Sequence, residues 1–204
     1  MTVLIVCSVA AERDAVIEAG CPAEVIVGGV GPAEAAAVTA ARLAAGRVDV
    51  AVCAGVAGGF APLRPGDLAV ASSIVFADLG AEVADGFIPL PSLGFGRISY
   101  DVDAALAVAL ADHTGGHLGT VLTVATVTGT RSSADALASR FPDAVAEAME
   151  GAGVAAAAAS FGVPYAEVRS ISNQVGPRDR DAWRIPEALE ALGRALAGLG
   201  TVPL

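Results

Sequence analysis

Short apolar runs that end near glycine alternate along this chain with alanine-rich stretches of helical character. The β-branched runs predict buried strands at residues 3–7, 25–27, 48–53, 68–76, 119–127 and 163–171. The alanine-rich stretches predict helices at residues 12–19, 32–45, 102–111, 133–140 and 185–199, two of which carry proline in their first turn. Residues 85–100 contain glycine, proline and aromatics without a period, which predicts an irregular loop.

Residues 143–161 fit two patterns. Their alanine content favours one long helix, whereas Gly151 and Gly153 favour a break in it. We prefer the break, with a short strand at residues 144–149 and a helix after it.

Strands that alternate with helices predict an α/β fold, here a single domain over residues 1–204 with a mixed, largely parallel central sheet covered by helices on both faces. Ligands of such sheets bind at the carboxyl ends of the strands. This rule places several polar residues and turns near one rim: Ser8, the glycine-rich turns at residues 28–31 and 55–59, Thr128, Gly129, Ser172 and Asn173.

The composition narrows the classes of function. The 204 residues are 54% hydrophobic and carry a net charge of −10 without any lysine, so a nucleic-acid partner is not expected. The longest apolar run is too short to cross a bilayer, so no membrane partner is expected either. The cysteines Cys7, Cys21 and Cys53 show no metal-binding spacing, which predicts reduced thiols in a cytoplasmic protein. No cluster of metal ligands is apparent, and neither a metal nor a cofactor is expected.

Three polar residues have both a structural and a chemical interpretation. Glu12 follows the first strand, where a carboxylate can activate water or can favour a helix N-terminus. Glu150 lies where the apolar pattern breaks, and when buried it needs partners such as sugar hydroxyls or Arg169. Asn173 ends a strand, where its amide can close a turn or contact a heterocycle. None of these residues is decisive alone.

Several motifs follow one another in a characteristic order along the chain: Glu12 and residues 27–31, 54–59, 65–67, 148–151, 163–164 and 168–173. This order resembles that of the purine nucleoside phosphorylase and methylthioadenosine nucleosidase family over nearly the whole chain. Within the family, residues 76–82, 126–130 and 172–180 are similar to the futalosine hydrolase branch. That resemblance implies an N-glycosyl hydrolase that splits futalosine into hypoxanthine and dehypoxanthine futalosine in menaquinone biosynthesis, and that forms a dimer or a higher homo-oligomer.

The resemblance also implies roles for individual residues. Glu12 corresponds to the catalytic base that activates water, Arg169 to a catalytic arginine near that water, and Asn173 to the residue that contacts the purine. Glu150 corresponds to the carboxylate that holds the ribose hydroxyls, and Met149 to the residue that packs on the sugar. The other predicted substrate-binding residues are Gly29, Gly31, Gly55, Val56, Thr128 and Ser172.

Asn173 stands where adenosine-type nucleosidases carry an aspartate. An asparagine can donate a hydrogen bond to N7 or O6 of a purine but cannot supply an acidic proton, so it predicts a 6-oxopurine such as hypoxanthine. The family's aromatic residue that stacks on the base is missing near Ser132, so another aromatic is expected to cover the base, and the candidates are Phe60, Phe87, Phe95 and Phe161. Trp183 and the arginines of residues 178–184 are expected over the acidic tail of the substrate.

Two alternatives stay open. A phosphorolytic enzyme, or a methylthioadenosine-type nucleosidase, has the same fold, and the candidate phosphate-binding arginines are Arg13, Arg64 and Arg97. An inert nucleoside-binding protein would bind such ligands without releasing the base, although the presence of both Glu12 and Glu150 argues against it.

Overall fold

The computed structural model describes residues 1–84 and 86–199. In that part of the chain, strands and helices alternate much as the apolar runs predict. The strands are β1 (Val3–Cys7), β2 (Glu24–Val27), β3 (Val50–Gly59), β4 (Leu68–Phe76), β5 (Gly80–Val83), β6 (Gly86–Pro89), β7 (Ser99–Asp101), β8 (His117–Thr123), β9 (Ala144–Ala148) and β10 (Tyr165–Gln174). The helices are α1 (Ala10–Glu18), α2 (Pro32–Ala45), α3 (Ala104–Thr114), α4 (Arg131–Arg140), α5 (Gly151–Ser160) and α6 (Ile185–Leu196), and short 3-10 turns lie at Leu90–Leu93 and Arg180–Ala182.

The central sheet is mixed and largely parallel, with the order β10-β4-β8-β9-β3-β1-β2 and with β7 paired to β4. Strand β10 pairs in parallel with β3 and antiparallel with β4. These two pairings close β10, β4, β8, β9 and β3 into a ring, while β1 and β2 extend the sheet beyond β3. Because β3 lies between β9 and β10, the ends of those two strands come together on either side of it.

Helices cover both faces of the sheet. Alternate residues of β1 point to opposite faces. On one face Ile5 packs in a core with helices α1 and α6, and on the other Leu4 packs with α2 and α5. A side chain at Gly153 would collide with the carbonyl oxygen of Pro32, so glycine lets α5 pack closely against α2. No helix in the described ranges is long and apolar enough to cross a membrane.

Three sequence predictions need correction. Residues 55–59, expected to form a turn, continue β3, because this segment pairs with both β10 and β9. The expected loop at residues 85–100 contains β6, a 3-10 turn and the start of β7, which lie at an exposed edge where no burial imposes a period. The strand predicted to reach residue 127 ends at Thr123.

The preferred break in residues 143–161 is confirmed, since β9 ends at Ala148 and α5 begins at Gly151. The predicted loop and the predicted domain of residues 1–204 also include Asp85 and residues 200–204, which lie outside the described residues.

Candidate active site

A cleft of two connected pockets lies near the carboxyl ends of β1, β3, β9 and β10. The first, which we call the Glu12 pocket, has a volume of about 220 Å³ and contains Ser8, Glu12, Met149 and Glu150 in its wall. The second, which we call the Arg178 pocket, has a volume of about 90 Å³. Together they form one concave site with a few polar groups, which is typical of sites for small organic ligands. The residues that line both pockets are Gly58, Val127, Glu147, Asn173 and Trp183.

Glu12 lies in the first turn of α1, directly after β1, and is 2% exposed. Its Oε2 accepts hydrogen bonds from the Ser8 backbone N–H at 2.9 Å, the Ser8 hydroxyl at 2.6 Å and the Val9 N–H at 3.3 Å. Its Oε1 accepts one hydrogen bond, from the Val56 N–H at 2.8 Å. Because a carboxylate oxygen has two lone pairs, Oε1 keeps one for a ligand or a water in the Glu12 pocket.

Arg169, on β10, is 1% exposed and lies beneath the cleft rather than in its wall. Its Nη2 donates to Glu150 Oε2 at 3.1 Å and to Cys53 Sγ at 3.1 Å. Its Nε donates to Glu167 Oε1 at 2.7 Å. Glu150 Oε1 also accepts from the Gly31 N–H at 3.2 Å, so the arginine and the turn after β2 together hold this carboxylate in place.

Glu167 belongs to this network, and the sequence reasoning missed it. It is 0% exposed, and its Oε2 has no hydrogen-bond partner among the described residues. Burial raises the pKa of the Glu167 carboxyl, although the positive charge of Arg169 opposes that rise. The signal that could have found it is the i, i+2 spacing of Glu167 and Arg169, which puts both side chains on one face of a strand.

Small residues let the two carboxylates take up their positions. A Cβ on Gly55 would lie 2.5 Å from Glu12 Oε1 and 2.8 Å from Arg169 Nη1, so no larger residue fits without moving them. Gly29 and Gly31 have φ angles of +83° and +90°, a region that favours glycine. Among the predicted substrate-binding residues, Gly31 therefore supports Glu150 through its N–H, while Gly55 makes room for Glu12.

Asn173 and Ser172 follow an irregularity in the pairing of β10 with β3. Such bulges change the direction of side chains near active sites. The Ser172 hydroxyl donates to Asn173 Oδ1 at 2.8 Å, and Asn173 Nδ2 donates one hydrogen to the Gln174 carbonyl at 2.9 Å. The amide therefore keeps its second N–H, a donor, for the cleft.

Glu147 is the second residue that the sequence reasoning missed. It is buried at the end of β9, in the wall of both pockets. Thr128 donates to it twice, from its N–H to Oε1 at 2.9 Å and from its hydroxyl to Oε2 at 2.5 Å. Burial raises the pKa of the Glu147 carboxyl. Thr128, predicted to bind substrate, therefore has its side-chain donor directed at this carboxylate.

Trp183 is the aromatic residue that lines the cleft, with the Arg178 guanidinium 5.3 Å from its ring centre. The phenylalanines expected to cover a base lie elsewhere within the described ranges: Phe60 and Phe87 line other pockets, and Phe95 and Phe161 are exposed. The position of a phenylalanine in the sequence does not indicate which strand ends meet, so the sequence could not identify the aromatic residue of the cleft.

Comparison with known proteins identifies the family of this chain. A family model described as the Phosphorylase superfamily matches residues 7–200. The chain belongs to the phosphorylase superfamily. One curated superfamily relative, the futalosine hydrolase of Streptomyces coelicolor, is 54% identical over 88% of this chain and 79% of its own length. A second, the futalosine hydrolase of Acidothermus cellulolyticus, is 45% identical over 97% of this chain and 89% of its own.

A solved structure shares the fold of this chain. The S-adenosylhomocysteine nucleosidase of Streptococcus pyogenes, crystallised with 5-methylthiotubericidin, superposes with a TM-score of 0.84 at 20% identity. The match covers 100% of this chain and 98% of that one. The roles of the individual residues in the cleft stay predictions.

Proposed function

We propose that this chain hydrolyses the N-glycosidic bond of futalosine, with release of hypoxanthine and dehypoxanthine futalosine, as a step of menaquinone biosynthesis. The observation that carries the proposal is the pair of buried carboxylates, Glu12 and Glu150, in the wall of one cleft that also contains Asn173. The 54% identity to a futalosine hydrolase supports the choice of substrate.

The geometry suits the following reaction. Glu150 accepts hydrogen bonds from the ribose hydroxyls, and Met149 packs against the sugar, so the anomeric carbon lies near Glu12. Glu12 Oε1 takes a proton from a water whose oxygen bonds to that carbon. The bond from the carbon to N9 breaks, and its electron pair moves into the purine. The free N–H of Asn173 donates to N7 or O6 and stabilises the leaving purine, which then takes up a proton.

Arg169 acts in this mechanism as a positioning residue. Its guanidinium is fully buried and directed at Glu150 and Glu167, so it orients the Glu150 carboxylate and does not touch the substrate. The two carboxylates keep negative charge beside the sugar as oxocarbenium character develops.

Water, and not phosphate, is the proposed nucleophile. The arginines considered for phosphate are engaged or exposed elsewhere: Arg13 pairs with Asp14 at 2.7 Å, Arg97 lies 4.3 Å from the Tyr100 ring centre, and Arg64 is on the surface. None of the three lines either pocket in the described part of the chain.

Release of the free base tests this proposal. The purified protein is incubated with futalosine, inosine or methylthioadenosine, with and without orthophosphate, and the released base is measured by chromatography. We expect hypoxanthine from futalosine at a rate that phosphate does not change. A rate that requires phosphate indicates a phosphorylase, release from methylthioadenosine alone contradicts the interpretation of Asn173, and tight binding without release indicates an inert binding protein.

We also propose that the chain forms a dimer or a higher homo-oligomer in the cytoplasm. Val30 and Val127, which line the cleft, are exposed apolar residues that a neighbouring subunit would cover. The free thiols Cys7, Cys21 and Cys53 agree with a reducing compartment. Light scattering of the purified protein measures the mass and would show a monomer if this proposal is wrong.

A further inference from the structure

Glu147 is a buried carboxylate to which the mechanism above assigns no role. It forms no ion pair within the described ranges, and its hydrogen-bond donors both come from one residue, Thr128. The nearby Asp78 carries the same charge and so contributes to the raised pKa of the Glu147 carboxyl, after burial. Burying a carboxylate without a cation is costly unless further donors complete its hydrogen bonding. Each oxygen of Glu147 has one donor and keeps a lone pair.

The sheet places Glu147 opposite Asn173. Gly58, on β3, is the register partner of Glu147 on β9 and of Asn173 on β10. Strand spacing puts the Cα atoms of these two residues roughly 10 Å apart. Gly58 has no side chain between them, and a Cβ there would lie 3.0 Å from Val175 Cγ2 and 3.4 Å from Asn173 Nδ2. Glu147 and Asn173 both line the Glu12 and the Arg178 pockets, so one ligand in the cleft can contact both side chains.

The two side chains offer opposite hydrogen-bonding groups. Asn173 Nδ2 donates one hydrogen to the Gln174 carbonyl and keeps its second N–H, so Asn173 presents a donor. Glu147 presents an acceptor. In a 6-oxopurine, O6 is an acceptor and the adjacent N1–H is a donor, which matches this pair. In adenine the order is reversed, because the 6-amino group donates and N1 accepts.

We propose that Glu147 is a specificity-determining residue that accepts a hydrogen bond from N1–H of a 6-oxopurine while Asn173 donates to the O6 and N7 edge. This inference rests on the proposed function, which determines where the sugar lies. It adds a protein group that contacts N1 of the base, whereas Asn173 contacts the O6 and N7 edge. Glu147 discriminates against adenine nucleosides because its carboxylate would face the N1 lone pair. The other explanation of Glu147 is structural: it would only hold the loop that contains Thr128.

The test compares wild type, Glu147→Gln and the matched control Glu18→Gln, which changes an exposed glutamate on α1 outside the cleft. The substrates are futalosine and the same nucleoside with adenine in place of hypoxanthine. Loss of a charge-assisted hydrogen bond lowers kcat/KM for futalosine by about tenfold to a hundredfold. The Gln amide can donate to adenine N1. The ratio of kcat/KM for futalosine to kcat/KM for the adenine nucleoside therefore falls by at least about tenfold. A purely structural role lowers kcat/KM for both substrates by the same factor, and that result would overturn the proposal.

Calorimetry with free bases separates this inference from the proposed function. Wild type should bind hypoxanthine more tightly than adenine or 1-methylhypoxanthine, which lacks the N1–H, and Glu147→Gln should lose most of that difference. This outcome supports the role of Glu147 even if wild type releases no hypoxanthine from futalosine. Equal affinities of wild type for the three bases, or a preference that Glu147→Gln retains, would contradict it.

Discussion

Replacing Arg169 by methionine tests whether the buried ion network supports both the fold and the cleft. Methionine keeps an unbranched apolar chain of comparable reach, so most of the packing around the stem of Arg169 is retained. The guanidinium is lost, and with it the charged partner of Glu150 and of Glu167, which are both buried.

The expected cost follows from the burial of the pair. Removal of one partner of a buried ion pair destabilises a protein by about 3–5 kcal/mol. For a domain of this size, each kcal/mol lowers the thermal midpoint by roughly 2–4 °C, so the midpoint should fall by roughly 6–20 °C. Adding Glu167→Gln removes one of the two uncompensated carboxylates, so the double variant should be more stable than Arg169→Met alone.

The stability lost in Arg169→Met should also depend on pH. Burial raises the pKa of the Glu167 carboxyl, and without Arg169 nothing opposes that rise. In folded Arg169→Met, the charged form of Glu167 is therefore less favourable than the protonated form. The stability lost in Arg169→Met is therefore greatest at high pH and decreases as the pH falls toward the ordinary carboxyl range, where Glu167 becomes protonated.

Denaturant unfolding of wild type, Arg169→Met and the double variant at pH 5.5 and pH 8 measures these differences. The same samples should show reduced kcat/KM, because the Glu150 carboxylate loses its charged partner and keeps only backbone N–H donors to hold its orientation. A loss of less than about 1 kcal/mol, or a loss that is the same at both pH values, would refute the claim that the network is electrostatically important.

Further predictions concern the cleft. Glu12→Gln should lower kcat by about 10²–10⁴-fold with little change in KM, because the amide cannot take a proton from water; steady-state kinetics separates the two constants. Gly55→Ala should lower both kcat and the thermal midpoint, since its Cβ would displace Glu12 and Arg169, and calorimetry with a kinetic assay checks both. Asn173→Asp should favour the adenine nucleoside over futalosine in a competition assay. Burial raises the pKa of the Glu147 carboxyl, and protonated Glu147 becomes a donor. The preference of wild type for futalosine over the adenine nucleoside should therefore decrease as the pH falls from 8 to 5. A preference that does not change with pH would contradict this.

The elements with a strong local pattern were predictable from the sequence. The β-branched run of β1 and the proline at the start of α2 determine those elements without reference to the rest of the chain. The closure of the sheet was not predictable in this way. It depends on β10 pairing with β3 and β4 at once, and periodicity in one segment does not indicate its neighbours.

The same distinction between local patterns and strand pairing applies to the residues of the candidate site. Glu12 and Glu150 follow strands at positions where a rim is expected, and the family resemblance selected them; both lie in the wall of the cleft, while their roles stay predictions. Glu147 was missed because it is a single acid in the short run of β9, where it could face either side of the sheet. Its position in the cleft follows from its pairing with Gly58, a contact between residues 89 positions apart in the sequence.

Strand β10 shows how one segment serves both stability and recognition. Its first half carries Glu167 and Arg169, whose charges are buried beneath the cleft and hold Glu150. After the irregularity beyond Ile171, the strand presents Ser172 and Asn173 to the cleft. A regular strand could not make this change within four residues, because its side chains alternate between faces with a period of two. The bulge is therefore what separates the ion network, which needs exclusion of water, from the amide, which needs access to the ligand.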